Sequence, residues 1–199
     1  LMLRLVEIII MFAPLGIFCL LASIFSEIGF FIIYDLASYF FLLSFVLIFH
    51  ALITYGSILS FFRLNPIIFF RKLKEVLLFA FSTSSSSATM PLTLKTVKEK
   101  LGVDQSVASF CIPLGATINM DGTAIMQGIA TVFIAQAYGV DLQITDYLMV
   151  ILTATLASIG TAGVPGVGLI MLAMVLQQVG LPVEGIALII GVDLSHIHI

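Results

Sequence analysis

Three polar clusters interrupt an otherwise apolar sequence, and their residue types decide what chemistry is open to them. Asp121, in Asn119-Met120-Asp121-Gly122-Thr123, is the one charged residue between Asp104 and Asp141. A carboxylate beside unwound carbonyls and threonine hydroxyls is hard oxygen chemistry, suited to a small hard cation rather than to zinc or copper. The plain alternative is an acid capping a half-helix; the long uncharged flanks on both sides argue against it. The second cluster is Ser82-Thr83-Ser84-Ser85-Ser86-Ser87-Ala88-Thr89 followed by Pro91. Its hydroxyls and amides could hold an anionic group at a helix start, or the run could be a flexible linker. The third is Ser158-Ile159-Gly160-Thr161-Ala162-Gly163-Val164-Pro165-Gly166-Val167-Gly168, where glycine permits close backbone approach and hinge-like rearrangement. A catalytic reading fares poorly: no nucleophile context surrounds the serines, and an aspartyl pair would need Asp193 beside Asp121.

The elements that position these clusters follow from composition. Of 199 residues 61% are apolar and 10% charged, with net charge -3, and mean hydropathy is +1.23. A soluble domain carries about 25% charged residues, so a soluble enzyme, a disordered tail and a nucleic-acid binder are excluded. A polytopic, all-α membrane protein remains. Uncharged runs at 8–26 and 36–62 each suit a spanning helix of about 20 residues. The sequence opens hydrophobic at once, which reads as a start in mid-protein. Cys19 and Cys111 read as small buried hydrophobes, and His50 as a histidine inside the bundle.

Charge then orients the serine run. Arg71, Lys72 and Lys74 precede it, and Lys95, Lys98 and Lys100 follow. Short Lys/Arg-rich loops stay cytoplasmic, so both ends lie on one side and the segment is a re-entrant hairpin turning at the serines. Hydroxyls and Pro91 make a poor helix interior there. The Asp121 segment crosses outward with a polar break, and the glycine window suggests a second hairpin entering from the opposite face. Paired, interrupted hydrophobic segments of this kind point to a transporter's midplane site.

At these three motifs, in this order and spacing, the sequence resembles the dicarboxylate/amino acid:cation symporter family, which has the glutamate-transporter fold. The resemblance implies two inverted re-entrant hairpins and a broken transmembrane helix. It divides the chain into residues 1–34 (fifth helix, scaffold), 35–65 (sixth), 66–102 (first hairpin), 103–143 (broken seventh), 144–182 (second hairpin, the gate) and 183–199 (start of the eighth). Sodium would be held at Gly115, Asn119 and Asp121, and at Thr117, Ser158, Ile159 and Thr161. Substrate would contact Ser85, Ser86, Thr123, Val164, Pro165 and Gly168. Asp193 is followed by Leu194-Ser195-His196-Ile197-His198-Ile199, which departs from the family pattern and reads as a truncation, cloning or assembly scar.

The expected function is therefore secondary active symport of glutamate or aspartate, coupled to sodium, by an elevator movement in a homotrimer. No catalytic residue and no cofactor beyond sodium as coupling ion is expected, and no nucleic-acid partner. The lipid bilayer would be a bacterial cytoplasmic membrane. Proton coupling, and neutral amino acids or C4-dicarboxylates, are the alternatives within the family; a passive anion pore and an intramembrane hydrolase are those outside it. The 199-residue chain alone is expected not to transport.

Overall fold

The computed structural model describes residues 32–190, together with Phe18, Cys19 and Ala22. Most of the first expected spanning helix, and the tail with Asp193, lie outside the described residues. Among the described residues the chain is helical throughout, without strands. Helix α1 spans Ile32–His50, a π-helical turn spans Ala51–Tyr55, and α2 spans Gly56–Phe61. Together Tyr34–Phe61 form one continuous helical rod with mean hydropathy 2.3, long and apolar enough to cross a membrane.

Local chemistry sets the next boundaries. Helix α3, Pro66–Thr83, starts with proline, whose fixed φ suits a first helical position. The Asn65 side chain accepts from Ile67 N and Ile68 N. Helix α4 covers Ser86–Leu101 and ends at Gly102, whose φ of +73° is the left-handed stop that glycine supplies. Helix α5, Gln105–Ile118, is capped by Asp104, which accepts from Ser106. Helix α6, Asp121–Ala137, follows after Asn119 and Met120 leave the helical conformation. Gln143 and Asp146 form a reciprocal capping box at the start of α7, Ile144–Ser158. Helix α8 is Val167–Gln178, and a short 3-10 turn, Val183–Gly185, leads into helical residues 186–190.

Helix α6 is the hub. Its Met126, Ala130, Ile134 and Ala135 are buried against Leu36, Tyr39 and Leu43 of α1, Val150 and Ala154 of α7, and Leu169, Leu172, Val175 and Leu176 of α8. Burial of a leucine- or valine-sized side chain stabilises by roughly 1.5–3 kcal/mol, so this apolar knot is what fixes α6 and everything carried at its start. Gly185 approaches α6 so closely that a Cβ there would press into Ile134 Cγ2. Helices α3 and α4 pair as an antiparallel hairpin, and α4 leads on against α5.

Two expectations are corrected here. The helix breaks only at Ser84 and Ser85, not across the serine run, and Pro91 lies inside α4. A proline costs one i→i−4 hydrogen bond; neighbouring hydroxyls of this arm remain bonded to the helix backbone, Thr89 Oγ1 to Ser85 O and Thr93 Oγ1 to Thr89 O. Cys19 and Cys111 are exposed free thiols rather than buried packing groups.

Candidate functional site

The three polar clusters, far apart in sequence, meet around one cavity of about 380 Å³. Ser84, Ser85 and Ser86 line it from the turn between α3 and α4. Asn119, Met120, Gly122 and Thr123 contribute from the break before α6, and Thr161 to Val164, Gly166 and Gly168 from the linker before α8. The fourth wall is the apolar rod, through Leu43, Leu47, His50, Ala51 and Tyr55.

Helices α4, α6 and α8 all present their first turns to this space. The leading N–H groups of a helix lack intrahelical partners and carry partial positive charge, so three such ends around one cavity make it favourable to negative charge. Side-chain hydroxyls of Ser86 and Thr123 add donors without adding a formal charge.

The two hairpin tips touch. Ser85 Oγ donates to Gly163 O at 2.6 Å, and Ser87 N donates to the same oxygen at 3.1 Å. Ser85 Oγ also accepts from Ala88 N at 3.1 Å, so one hydroxyl caps α4 and binds the opposite tip. The contact leaves no room for a side chain: a Cβ on Gly163 would lie 2.9 Å from Ser86 Cβ and 3.1 Å from Ser87 N.

Of the residues expected at substrate, Ser85, Ser86, Thr123, Val164 and Gly168 line the cavity; Pro165 does not, although its neighbours on both sides do. Of those expected at cations, Asn119 and Thr161 line it. The Gly115 carbonyl accepts from Asn119 N at 2.9 Å, and the Thr117 carbonyl accepts from Gly160 N at 2.8 Å, which brings the end of α5 against the second linker. Ser158 and Thr161 are buried there, whereas Ile159 is exposed.

Asp121 is the first residue of α6, and its carboxylate turns toward the rod. Oδ2 accepts from the Tyr55 hydroxyl at 2.7 Å and lies 3.4 Å from His50 Nε2. His50 Nδ1 is in turn 3.2 Å from Thr54 Oγ1. His50 therefore faces the site rather than filling the bundle interior, contrary to the sequence expectation. Gln127 was also missed: it is fully buried, its Nε2 donates to Gly168 O at 3.2 Å, and its Oε1 has no partner. A lone amide within the apolar stretch 124–135 is the signal that could have found it. Among the described residues no group of three or more His, Cys, Asp or Glu could share a metal ion. A cation here would rest on carbonyl, hydroxyl and single carboxylate oxygens, the donor set of hard ions.

The model of the sodium:dicarboxylate symporter family matches residues 1–195. The chain belongs to that family. It is 43% identical over 200 residues to an excitatory amino acid transporter of Caenorhabditis elegans, covering 96% of this chain and 38% of that protein. Identity is 44% over 194 residues to excitatory amino acid transporter 1 of Rattus norvegicus, covering 96% and 36%. It is 38% over 192 residues to the proton/glutamate-aspartate symporter of Escherichia coli (strain K12), covering 96% and 44%. The chain thus spans about two fifths of the length of the curated relatives it matches.

Proposed function

We propose that the cavity between the two tips is the substrate site of a secondary active symporter for an acidic amino acid, glutamate or aspartate. The observation that carries the reading is the convergence of three helix N-termini and two serine- and glycine-built tips on one cavity. That environment favours a carboxylate, and the names of the relatives fit such a substrate.

Lengths support a membrane setting with two re-entrant hairpins. Ser85 lies ten residues before Lys95, about 15 Å of helix at 1.5 Å per residue, or half of a hydrocarbon core of about 30 Å. Helices α7 and α8, with 15 and 12 residues, are likewise shorter than the roughly 20 residues a crossing needs. Large side chains such as Phe41, Phe45, Leu52 and Phe61 are exposed along the rod, which suits lipid and not water. The break at Asn119 and Met120 is then irregular backbone at membrane depth, tolerated because protein and a polar cavity surround it.

In this reading sodium is a co-substrate, held by Asp121 with the carbonyls of Gly115 and Asn119, and by Thr117, Ser158, Ile159 and Thr161 near the second linker. Substrate sits against Ser85, Ser86, Thr123, Val164, Pro165 and Gly168. The second tip closes over it as a gate, and the transport unit moves as a body within a homotrimer; no catalytic group or further cofactor takes part. Proton coupling is the second reading, favoured by the name of the E. coli relative.

The test is uptake of labelled aspartate and glutamate by proteoliposomes holding the whole protein, with and without an inward sodium gradient. Uptake that needs sodium and collapses in Asp121→Asn is the expected result. Uptake driven by a proton gradient and indifferent to sodium moves the coupling to the second reading. Absence of uptake of either acid overturns the substrate assignment.

A further inference from the structure

The π-helical turn at Ala51–Tyr55 has no counterpart in the hydrophobic pattern of its rod, and it falls where the rod meets Asp121. In a regular α-helix, residues five apart point about 140° away from each other. A π turn closes over five residues instead, i→i+5, so His50 and Tyr55 come to the same side. Their rings meet edge to face with centroids 5.3 Å apart. Both then reach one oxygen, Asp121 Oδ2, at 3.4 and 2.7 Å. Single π turns occur often at functional sites, and here the consequence is specific: without the wide turn one of the two side chains would face lipid.

We propose that Tyr55, aimed by this π turn, is a positioning residue for cation binding at Asp121. The inference rests on the reading of Asp121 as a sodium ligand and goes beyond it by assigning the residue that orients the carboxylate. A hydroxyl donating to a carboxylate is a charge-assisted bond, stronger and more directional than a neutral one. With Oδ2 held by Tyr55 and His50, the carboxylate cannot rotate freely, and Oδ1 is the oxygen turned to a sodium ion. Pre-setting a ligand in this way raises affinity by removing the cost of ordering it at the moment of binding. Tyr55 is itself 39% exposed, so it contributes little to packing, and removing its hydroxyl leaves the fold in place.

The experiment uses the purified whole protein without amino acid, melted across a series of sodium chloride concentrations at constant ionic strength with choline chloride. Ligand that binds the native state raises Tm by mass action, so the series yields a half-saturating sodium concentration without any transport step. Tyr55→Phe is expected to raise that concentration about tenfold, equivalent to ~1.4 kcal/mol. Tyr138→Phe, at the far end of α6, is the control and should leave the half-saturating sodium concentration alone. A wild-type sodium series for Tyr55→Phe overturns the proposal, as does a wild-type Tm indifferent to sodium. A sodium shift that Tyr55→Phe moves, in a protein that takes up neither acid, upholds the proposal while the substrate reading fails.

Discussion

The two tips that meet at Gly163 are built in opposite ways. In the first, only Ser84 and Ser85 lie between α3 and α4, and the turn is held by its own neighbours. Ser84 N donates to Ala80 O, Thr89 N and Thr89 Oγ1 donate to Ser85 O, and the Thr83 and Thr89 hydroxyls are 3.3 Å apart. In the second, residues 159–166 separate α7 from α8, and glycines 160 and 166 take positive φ. It has bonds of its own, Thr161 N to Ser158 O, Thr161 Oγ1 to Ala157 O and Val164 N to Ala162 O, and leans on neighbours at Gly160 N, which donates to the Thr117 carbonyl, and at Gly163 O, which accepts from the first tip. An eight-residue linker outside regular helix opens at lower cost than a two-residue turn clamped between two helices. In the proposed reading the first tip is the platform and the second the moving part.

The strongest way to break that division is Gly163→Ala. The added Cβ collides with Ser86 and with the Ser87 backbone, so the tips must part and both hydrogen bonds to Gly163 O are lost. At about 1 kcal/mol each, the apparent affinity for aspartate should fall roughly 30-fold, read by equilibrium binding. Ser85→Ala comes next. It removes the cap on α4, worth ~1 kcal/mol, and one of the two tip bonds, so an affinity loss of roughly tenfold is expected. Ser85→Thr keeps the hydroxyl and should restore most of it. If Ser85→Ala weakens binding more than Gly163→Ala, the platform and moving roles are reversed.

Much of this contrast was legible in the sequence because composition states it. Flanking lysines and arginines placed both ends of the serine run together, and Lys100 does reach Glu75 across the hairpin base at 2.7 Å. Four glycines and a proline announced that 158–168 could not be one helix. Asp121 stood out as a lone acid. The partners of Asp121 did not, because His50 and Tyr55 lie 71 and 66 positions away and meet it through a π turn that ordinary helix-forming residues conceal. Pro91 was misread for a related reason: helix pairing overrode a local preference, as tertiary context often does. Gln127 was overlooked since a single amide barely alters hydropathy, yet its bond to Gly168 is what ties α6 to the arm behind the second tip.

A smaller effect sharpens the comparison at Gly166. Its φ is +82°, and a Cβ there would meet nothing within 4 Å, so Gly166→Ala acts through backbone strain alone. That conformation costs a non-glycine residue roughly 1–2 kcal/mol. At roughly 2–4 °C per kcal/mol, Tm should fall by about 2–8 °C. Substrate that closes the tip should recover part of the loss; a shift unchanged by aspartate would show that the linker does not rearrange.

The smallest effect is expected at the hairpin base, and its pH dependence separates it from the tips. Glu75 is fully exposed, and its hydrogen bond and charge contact with Lys100 hold its carboxyl below the usual carboxylate range, with Lys74 and Lys95 adding to the effect. A depressed folded-state pKa contributes stability at pH values above the unfolded pKa, and that contribution disappears as pH falls through the folded value. Exposed ion pairs are screened and often contribute nothing measurable. Glu75→Gln should therefore change Tm at pH 7 by no more than about 1 °C, and by nothing once the pH lies below the carboxylate range. The tip contacts consist of hydroxyl, amide and carbonyl groups that do not titrate, so the deficit of Gly166→Ala should persist across the same acid series. A Glu75→Gln deficit as large as that of Gly166→Ala, fading in acid, would move the anchoring of the first hairpin from its turn to its charged base.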